Sequence, residues 1–505
     1  MSQYMELRKK WPEFIYEGYY IEETEEEIKV RYQFRIPGLS DFAPEWRFPK
    51  DASRFTRQKN AREDVSETHS TEFKEDPVFR KLIFSLGMVE LVSYWKICCP
   101  PTVWVEAGSL DREQVTWWKE LYYNGLGEFF YTNRIHEADP DTFMDIRCRM
   151  PERGFQECEV SGFSVSENEV RQGEMSEGEK RQSTASERQD ETQRLPLDGC
   201  LIPVGGGKDS VVTMELVKKT GMRSMVYVIN PRGATVSCSQ AGGYGPDRQV
   251  MVSRTLDANM LRLNREGYLN GHTPFSAIVA FSAVAAAYLY RLKYVALSNE
   301  SSANESTVPG STVNHQYSKS FQFESDFNSY ERNYLRSGVF YFSLLRPLSE
   351  FQIARYFAGL KQYHAVFRSC NVGSKQDVWC GHCPKCLFVF LILSPFLPQE
   401  ELRRMFGADM LNDPSLTETL EKLVGIQEEK PFECVGSRNE INAAIAMTIE
   451  RMEQDGEELP VLLRYYRQSS LYAVHAHRDH GYFTYYDKEN LLPEEFEKIL
   501  RRECL

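Results

Sequence analysis

The stretch Cys200–Gly221, CLIPVGGGKDSVVTMELVKKTG, decides the fold class of the chain. Its first five residues are apolar and predict a short buried strand, and the run VVTMELVKKTG has helical spacing that ends at a glycine. Between them, the glycines of Gly205–Ser210 let a polyanion approach the main-chain amides. The following helix turns its free N–H groups toward the same point. The unit therefore predicts a strand, a phosphate-binding loop and a helix in series.

Six loop residues are candidates for binding a phosphate or pyrophosphate group: Gly205, Gly206, Gly207, Lys208, Asp209 and Ser210. The Lys208 ammonium and the Ser210 hydroxyl add donors to those of the backbone. The loop differs from a Walker loop, because Lys208 is followed by Asp209 rather than Ser or Thr and the glycine spacing is different. A glycine-rich turn without a ligand is the alternative, which the flanking strand and helix disfavour.

Downstream of the loop, strands and helices alternate. The predicted elements are a strand at Ser224–Ile229, a helix around Arg248–Arg265, a buried helix at Phe275–Arg291 and a strand at Tyr294–Leu297. Such alternation predicts an α/β fold, a parallel sheet with helices on both faces. Ser298, Asn299 and Glu300 follow the last strand, at the edge where open α/β sheets bind ligands.

The sequence predicts four regions: an N-terminal α+β module (1–163), a flexible linker or insertion (164–195), a nucleotide-binding domain (196–397) and a mainly helical C-terminal region (398–505). The N-terminal module is predicted from a hairpin at Phe14–Ile36 and helices at Val78–Ile97 and Asp111–Tyr123. The linker has no aromatic and almost no aliphatic residue, so it cannot bury enough apolar surface to offset its ordering entropy.

Charge and hydropathy limit the classes of partner. The 505 residues include 60 Lys and Arg against 73 Asp and Glu, a net charge of −13. An acidic chain is a poor match for nucleic acid or anionic membranes. We see neither a secretory signal nor an apolar run long enough to span a bilayer. We therefore expect a cytoplasmic protein that acts on a small molecule, and its oligomeric state is left open.

Four of the twelve cysteines are clustered, and they predict a metal site. Cys370, Cys380, Cys383 and Cys386 are separated by nine, two and two residues. Four thiolates at this spacing can surround one tetrahedral Zn²⁺, and a site filled by sulfur is closed and structural. An iron–sulfur cluster and four unrelated thiols are the alternatives.

The loop GGGKDS resembles the SGGxDS signature of the PP-loop ATP pyrophosphatases, with Gly205 where most members have Ser. This resemblance implies a HUP-like nucleotide domain that binds ATP with Mg²⁺, makes adenylates and releases pyrophosphate. It also implies that Asp209 helps to hold Mg²⁺ and the phosphates, and that Asn230 borders the adenine. Together with the four cysteines, the loop is similar to that of the 7-cyano-7-deazaguanine synthases.

Further segments narrow the resemblance: SNESSANE, NHQYSKSF, FSLLRPLSEFQIARYF, FRSCN, WCGHCPKCLFVFLILSPFL and PFECVGSRNE. In series, from about Leu201 to Glu440, they resemble the UDP-N-acetyl-α-D-muramoyl-L-alanyl-L-glutamate epimerases of peptidoglycan synthesis. Membership would imply an ATP-dependent inversion of the terminal L-Glu of the nucleotide-sugar dipeptide UDP-MurNAc-L-Ala-L-Glu. An acyl-adenylate would make the α-proton removable, and AMP and pyrophosphate would be released.

The acid/base groups for such an inversion are predicted less directly. Cys434 is a candidate thiol in a loop bounded by Pro and Gly, with a buried inert cysteine as the alternative. His315 and Lys319 are the next candidates, and Lys208, Lys319 and Arg346 are expected to form a basic pocket for the anionic substrates. Two other functions stay open: a PP-loop enzyme that adenylates another small carboxylate, amide or nucleobase, and an ATP-binding accessory protein without turnover.

Overall fold

The structure is a computed structural model, and it describes residues 2–50, 73–149, 197–301, 317–428, 430–431, 433 and 435–505. The predicted linker at 164–195 lies outside the described residues, as do His315 and Cys434, two of the predicted acid/base residues. The predicted domain boundaries therefore remain predictions.

One mixed sheet of eleven strands runs through the described residues. The strands are β1 Glu13–Glu23, β2 Glu27–Ile36, β3 Ser40–Phe42, β4 Glu45–Pro49, β5 Thr102–Val105, β6 Asp145–Cys148, β7 Cys200–Pro203, β8 Ser224–Ile229, β9 Gln249–Thr255, β10 Tyr294–Leu297 and β11 Phe340–Ser343. The strand order is β11-β10-β7-β8-β9-β4-β2-β1-β5-β6, and β3 pairs with β2.

Helices surround this sheet. They are α1 Gln3–Lys10, α2 Pro77–Trp95, α3 Arg112–Gly125, α4 Gly127–Thr132, α5 Lys208–Lys219, α6 Gly233–Ala241, α7 Ala258–Arg265, α8 Phe275–Leu289, α9 Phe321–Tyr330, α10 Glu350–Ala358, α11 Pro384–Leu393, α12 Gln399–Phe406, α13 Thr417–Val424, α14 Arg438–Gln454, α15 Val461–Arg467, α16 Ser470–His475 and α17 Glu494–Cys504. The described part of the C-terminal region has helices as its regular elements, as predicted.

The parallel half of the sheet contains β11, β10, β7, β8 and β9. Read from β9, this is the strand order 3-2-1-4-5 of doubly wound nucleotide-binding folds. The chain leaves β7 toward β8 and later returns on the other side through β10, which opens a crevice at the carboxyl ends of β7 and β10. Strands β7, β8 and β10 are buried almost throughout, because helices cover both faces. The predicted α/β class is confirmed for this half.

The N-terminal strands continue the same sheet. The predicted hairpin is confirmed as β1 and β2, which pair antiparallel, and β2 alternates between buried and more exposed residues. Strand β4 pairs antiparallel with β9, with Trp46 opposite Arg254. Arg254 also donates to the fully buried carboxylate of Glu90 in α2, with Nη2 2.7 Å from Oε1 and Nε 2.9 Å from Oε2. The N-terminal residues are therefore joined to the parallel strands by both backbone and side-chain bonds.

Two apolar cores lie on opposite faces of the parallel strands. Along β7 and β8, Leu201 and Tyr227 belong to the core that includes α2 and α8, whereas Ile202 and Val228 belong to the core that includes α5, α11 and α14. The Ala-rich α8 is buried, as predicted. Within the described ranges, the helices all fall short of the length and apolarity needed to cross a bilayer.

One predicted element is wrong. The helix expected around Arg248–Arg265 is strand β9 followed by the shorter helix α7. The segment QVMVSRT buries Val250 and Val252 on alternate positions, and β9 pairs with β8 on one side and β4 on the other. A β-rich segment paired on both sides forms a strand despite a helical neighbour in sequence.

Candidate active site

The glycine loop, Gly205–Gly207, lies between β7 and α5 and is shaped by close backbone packing. Gly206 has φ of +84°, and a Cβ there would lie 3.0 Å from the Cβ of Ala234. A Cβ on Gly207 would overlap the hydroxyl of Ser369. A Cβ on Gly205 would meet no heavy atom within 4 Å among the described residues. The second and third glycines are therefore required by the structure, and the first is not.

Helix α5 begins at Lys208, with Gly207 as its extended N-cap residue. The first N–H groups of a helix have no intrahelical partner, so they are available to an anion beside the glycine loop. The hydroxyl of Ser210 donates to the carbonyl of Gly207 at 2.9 Å, which holds the loop against the first turn of the helix. The loop and helix start thus have the arrangement that the sequence predicted.

Lys208 is buried between two carboxylates. Its Nζ lies 2.5 Å from Oε2 of Glu350 and also pairs with Oδ1 of Asp209. The side chains of Lys208 and Glu350 are 1% and 2% exposed, whereas that of Asp209 is 25% exposed. Asp209 is therefore the carboxylate of this group that solvent and ligands can reach.

The pKa values of this group follow from burial and charge. Burial acts to lower the pKa of Lys208, but Asp209 and Glu350 outweigh it and hold this pKa above its ordinary value. Burial raises the pKa of Glu350 despite the opposing attraction of Lys208, and the carboxylates of Asp209, Glu300 and Glu440 raise it further. The group therefore combines a cation stabilised by neighbouring carboxylates with a buried carboxyl whose pKa is raised.

Glu440 connects this group to the C-terminal region. Its Oε1 accepts from the backbone N–H of Glu350 at 2.8 Å, and its Oε2 accepts from the hydroxyl of Ser437 at 2.8 Å. A Cβ on Gly436 would lie 3.0 Å from Cγ of Glu350, so the segment that precedes α14 lies against Glu350. The sequence reasoning missed the roles of Glu350 and Glu440. The patterns Ser349-x-x-Gln352 and Ser437-x-x-Glu440 indicate only that helices start there.

Polar residues at the ends of β10 and β11 form a second network. The Asn299 amide donates to the Ser343 hydroxyl at 3.0 Å, and Nη1 of Arg346 donates to the carbonyl of Glu300 at 3.0 Å. Nη2 of Arg346 pairs with Oε2 of Glu324 at 3.3 Å and donates to the carbonyl of Lys319. These contacts fix the backbone that carries the predicted site residues.

Two of the three cations of the predicted basic pocket are paired with carboxylates inside the protein. Arg346 is fully buried and paired with Glu324, and Lys208 is buried and paired with Asp209 and Glu350. Both cations are therefore neutralised by carboxylates within the protein. Neither presents an open positive surface. Each is paired internally, since leaving a buried charge unpaired costs several kcal/mol.

Asn230 and Ser298 are two further predicted residues. Asn230 follows β8 with φ of +50°, and its amide group donates to the carbonyl of Arg254 and accepts from the N–H of Arg254, both at 2.8 Å. Its side chain thus joins the ends of β8 and β9. Ser298 directly follows β10. The structure therefore places the glycine loop, Asn230, residues 298–300 and Arg346 after the carboxyl ends of β7, β8, β10 and β11, with Asn230 held by Arg254.

The four clustered cysteines come together as predicted. Their sulfur atoms all lie within 4.8 Å of one another, and three separations are 4.0 Å for Cys370–Cys383, 3.7 Å for Cys380–Cys386 and 3.5 Å for Cys383–Cys386. Four thiolates around one tetrahedral ion with bonds of about 2.3 Å are separated by roughly 3.8 Å. Backbone N–H groups of Gly373 and Cys380 donate to Cys370 Sγ. The geometry therefore fits a single metal ion.

Comparisons with known proteins agree over most of the chain. The family model described as the MurL N-terminal domain matches residues 5–344, and the model described as the MurL C-terminal domain matches residues 366–478. The first match includes the glycine loop, and the second includes the four cysteines and Glu440. No solved structure matches the chain.

Three curated relatives carry the name UDP-N-acetyl-alpha-D-muramoyl-L-alanyl-L-glutamate epimerase. The protein from Xanthomonas oryzae pv. oryzae is 33% identical over 73% of this chain and 74% of its own length. The protein from Salinispora tropica is 34% identical over 72% of each chain, and that from Micromonospora sp. is 38% identical over 50% of this chain and 57% of its own. These matches and the two domain models together show that this chain belongs to the MurL family.

Proposed function

We propose that this protein is an ATP-dependent epimerase of the PP-loop type, which converts the terminal L-Glu of UDP-MurNAc-L-Ala-L-Glu to D-Glu in peptidoglycan precursor synthesis. The observation that carries the proposal is the glycine loop and free helix start at the switch point of the sheet, in a chain whose relatives bear the epimerase name. The substrate class follows from the relatives, and the use of ATP follows from the loop.

The reaction needs activation because of the acidity of the α-proton. Removal of this proton from a free glutamate would create a carbanion beside a carboxylate. Attack of the α-carboxylate on the α-phosphorus of ATP forms a mixed anhydride and releases pyrophosphate, which removes that negative charge. A base can then take the α-proton, and an acid returns one to the opposite face. Water finally cleaves the anhydride, giving the epimer and AMP.

The residues of the loop support the first half of this reaction. Backbone N–H groups at Gly205–Gly207 and at the start of α5 bind phosphate oxygens. Asp209 is the accessible carboxylate of the loop, so we assign it to Mg²⁺, which would neutralise phosphate charge when bound. Lys208 stays charged and fixed between Asp209 and Glu350. Ser298, Asn299, Glu300 and Asn230 would line the nucleotide side of the crevice, and Arg346 donates to the backbone carbonyl of Glu300.

The proton-transfer groups remain proposals. Cys434, His315 and Lys319 are the candidates from the sequence. The described neighbours of Cys434 support it: Glu433 accepts from the N–H of Lys385, and Gly436 packs against Glu350 beside Lys208.

We assign the four cysteines to a structural Zn²⁺. Their sulfur separations fit one ion, whereas a multi-iron cluster needs its ligands further apart because they bind different metal atoms. All ligand positions are filled by the protein, so the ion would stabilise the fold around residues 370–386 rather than activate water.

The direct test is a product assay. Purified protein with UDP-MurNAc-L-Ala-L-Glu, ATP and Mg²⁺ should yield AMP and pyrophosphate in equal amounts together with UDP-MurNAc-L-Ala-D-Glu, and omission of ATP should abolish formation of this D-Glu epimer. Appearance of D-Glu without ATP would contradict the adenylate mechanism. Absence of both AMP and D-Glu would contradict the proposed function, and would favour adenylation of another substrate or a non-catalytic role.

A further inference from the structure

Residues 368–383, here called the cysteine loop, pack against the glycine loop. The N–H of Arg368 donates to the carbonyl of Gly206 at 2.8 Å. Ser369 packs so closely on Gly207 that a Cβ there would overlap the Ser369 hydroxyl. Cys370 follows directly in sequence. The first cysteine of the cluster is therefore next to the residues that contact the glycine loop.

Asp377 makes a second connection from the spacer between Cys370 and Cys380. Its Oδ1 accepts from the N–H of Ala234 at 2.7 Å, and a Cβ on Gly233 would overlap its Oδ2. Ala234 is the second residue of α6, and Arg232 at the N-cap position has no side-chain acceptor. Asp377 thus supplies from another loop the anionic acceptor that a helix N-terminus favours.

The start of α6 in turn packs on the glycine loop. A Cβ on Gly206 would lie 3.0 Å from the Cβ of Ala234 and 3.1 Å from the backbone nitrogen of Thr235. Asp377 itself has φ of +59°, a backbone conformation that is uncommon for residues other than glycine. The glycine loop, the start of α6 and the cysteine loop are therefore interlocked, and the carboxylate of Asp377 bonds the last two together.

We propose that Asp377 is a positioning residue of the nucleotide site: its carboxylate ties the start of α6 to the cysteine loop and thereby fixes Gly206 and Gly207 in the conformation that receives phosphates. This inference rests on the proposed function and adds a residue to it. It also links the glycine loop to the four cysteines, because an ion bound by the four thiolates would hold the same cysteine loop in place.

Asp377→Ala tests the contact, with Gln376→Ala, an exposed neutral neighbour, as the control. In the free protein, amide hydrogen exchange at residues 205–210 and 233–236 should accelerate about tenfold, and the Kd of a non-hydrolysable ATP analogue should rise about tenfold, as for loss of an N-cap acceptor. Metal content per chain should stay unchanged. Gln376→Ala should match the wild type in all three measurements.

Two further variants separate positioning from folding. Asp377→Asn keeps an acceptor oxygen for the Ala234 N–H and should restore most of the exchange protection and affinity. Gly233→Ala disrupts the same contact from α6, outside the cysteine loop. It should cause the same loss of exchange protection and of affinity, with the metal content unchanged. Wild-type exchange and affinity in both Asp377→Ala and Gly233→Ala would overturn the inference, as would loss of metal in Asp377→Ala combined with wild-type behaviour of Gly233→Ala.

The exchange measurement also keeps this inference distinct from the proposed function. A wild-type protein that binds no ATP analogue would contradict the proposed function. Exchange in the free protein would still decide whether Asp377 holds Gly206 and Gly207. Conversely, wild-type affinity and protection in the variants would overturn only the role of Asp377.

Discussion

The glycine loop and the cysteine cluster are both short motifs, but the structure builds them in different ways. At the glycine loop, Lys208 is held between Asp209 and Glu350, and Glu350 is held by Glu440 from the C-terminal region. In the cluster, the four sulfur atoms all lie within 4.8 Å of one another. The first site depends on partners from distant parts of the chain, whereas the second has its ligands within one short segment.

This difference indicates what each motif contributes. The glycine loop leaves backbone N–H groups and the partly exposed Asp209 available to a ligand. A single ion in the cluster would occupy all four thiolates, with no position left for a substrate. Substitutions at the glycine loop should therefore reduce activity more than stability, and those in the cluster should do the reverse.

The largest expected effect is on activity. Asp209→Asn should lower the rate of pyrophosphate release by about 10²–10³-fold, because it removes the charge of the accessible carboxylate that would face developing phosphate charge. The midpoint of thermal unfolding should change little, since the side chain is 25% exposed and Lys208 keeps Glu350. Unimpaired turnover would remove the assignment of the loop to phosphate.

Cys383→Ser should give the opposite pattern. Loss of one thiolate should remove the metal and lower the free energy of unfolding by about 4 kcal/mol, as for other losses of a structural metal. Elemental analysis and denaturant unfolding measure the two effects. Cys148→Ser, an exposed cysteine outside the cluster, should leave both unchanged. Iron in place of zinc, or a wild-type protein without metal, would contradict the zinc assignment.

Glu350→Gln tests the buried carboxyl that supports Lys208. The pKa of Glu350 is raised in the folded state from an ordinary value of 4.5, so the folded protein binds this proton more tightly. Its contribution to stability is complete below pH 4.5 and is lost as the pH rises toward the raised pKa. As the pH rises from 4.5 toward the raised pKa, the free energy of unfolding of the variant should therefore fall by about 1 kcal/mol less than that of the wild type.

Denaturant unfolding at a series of pH values measures how steeply the free energy of unfolding changes with pH. Glu497→Gln provides a control of opposite sign, because a hydrogen bond from Tyr486 and the charge of Arg501 lower the pKa of Glu497. Stability from Glu497 is lost as the pH falls. Identical pH slopes for the wild type and Glu350→Gln would show that Glu350 does not titrate differently on folding.

The smallest expected effect is at Gly205. Gly205→Ser introduces a hydroxyl at the position where the loop differs from the signature that it resembles, and a Cβ there meets open space among the described residues. The variant should fold normally, and its affinity for ATP should stay within about threefold of the wild type, the range of one hydrogen bond. Gly207→Ser, which would overlap Ser369, should fail to bind ATP. Equal tolerance at both positions would contradict the close packing of the loop.

Local patterns account for what the sequence predicts well. The strand Ser224–Ile229 and the elements on each side of the glycine loop are each specified by adjacent residues, and they match the structure. Three of the four cysteines lie close together because two-residue spacings place Cys380 and Cys383 just before α11 and Cys386 in its first turn. In contrast, the segment QVMVSRT is followed closely by the helical segment α7, and its pairing with β4, about 200 residues away, is visible only in the fold.

Long-range contacts account for the parts that the sequence does not reveal. Glu350 is 142 residues from Lys208, and Asp377 is 143 residues from Ala234. Each is a single charged residue in an ordinary helix start or loop, so no local pattern marks its partner. The prediction of Arg346 as a ligand for the substrate followed from its charge, whereas its full burial against Glu324 is visible only in the fold.

Solvent exchange at the glutamate α-carbon tests the central claim most directly. In D₂O with Mg²⁺ and UDP-MurNAc-L-Ala-L-Glu, we predict that deuterium appears at the α-carbon of the terminal glutamate only when ATP is added, together with AMP. The Asp209→Asn variant should form both products about 10²–10³-fold more slowly. Deuterium incorporation at the wild-type rate without ATP, or AMP formation without incorporation, would contradict epimerisation through an adenylate.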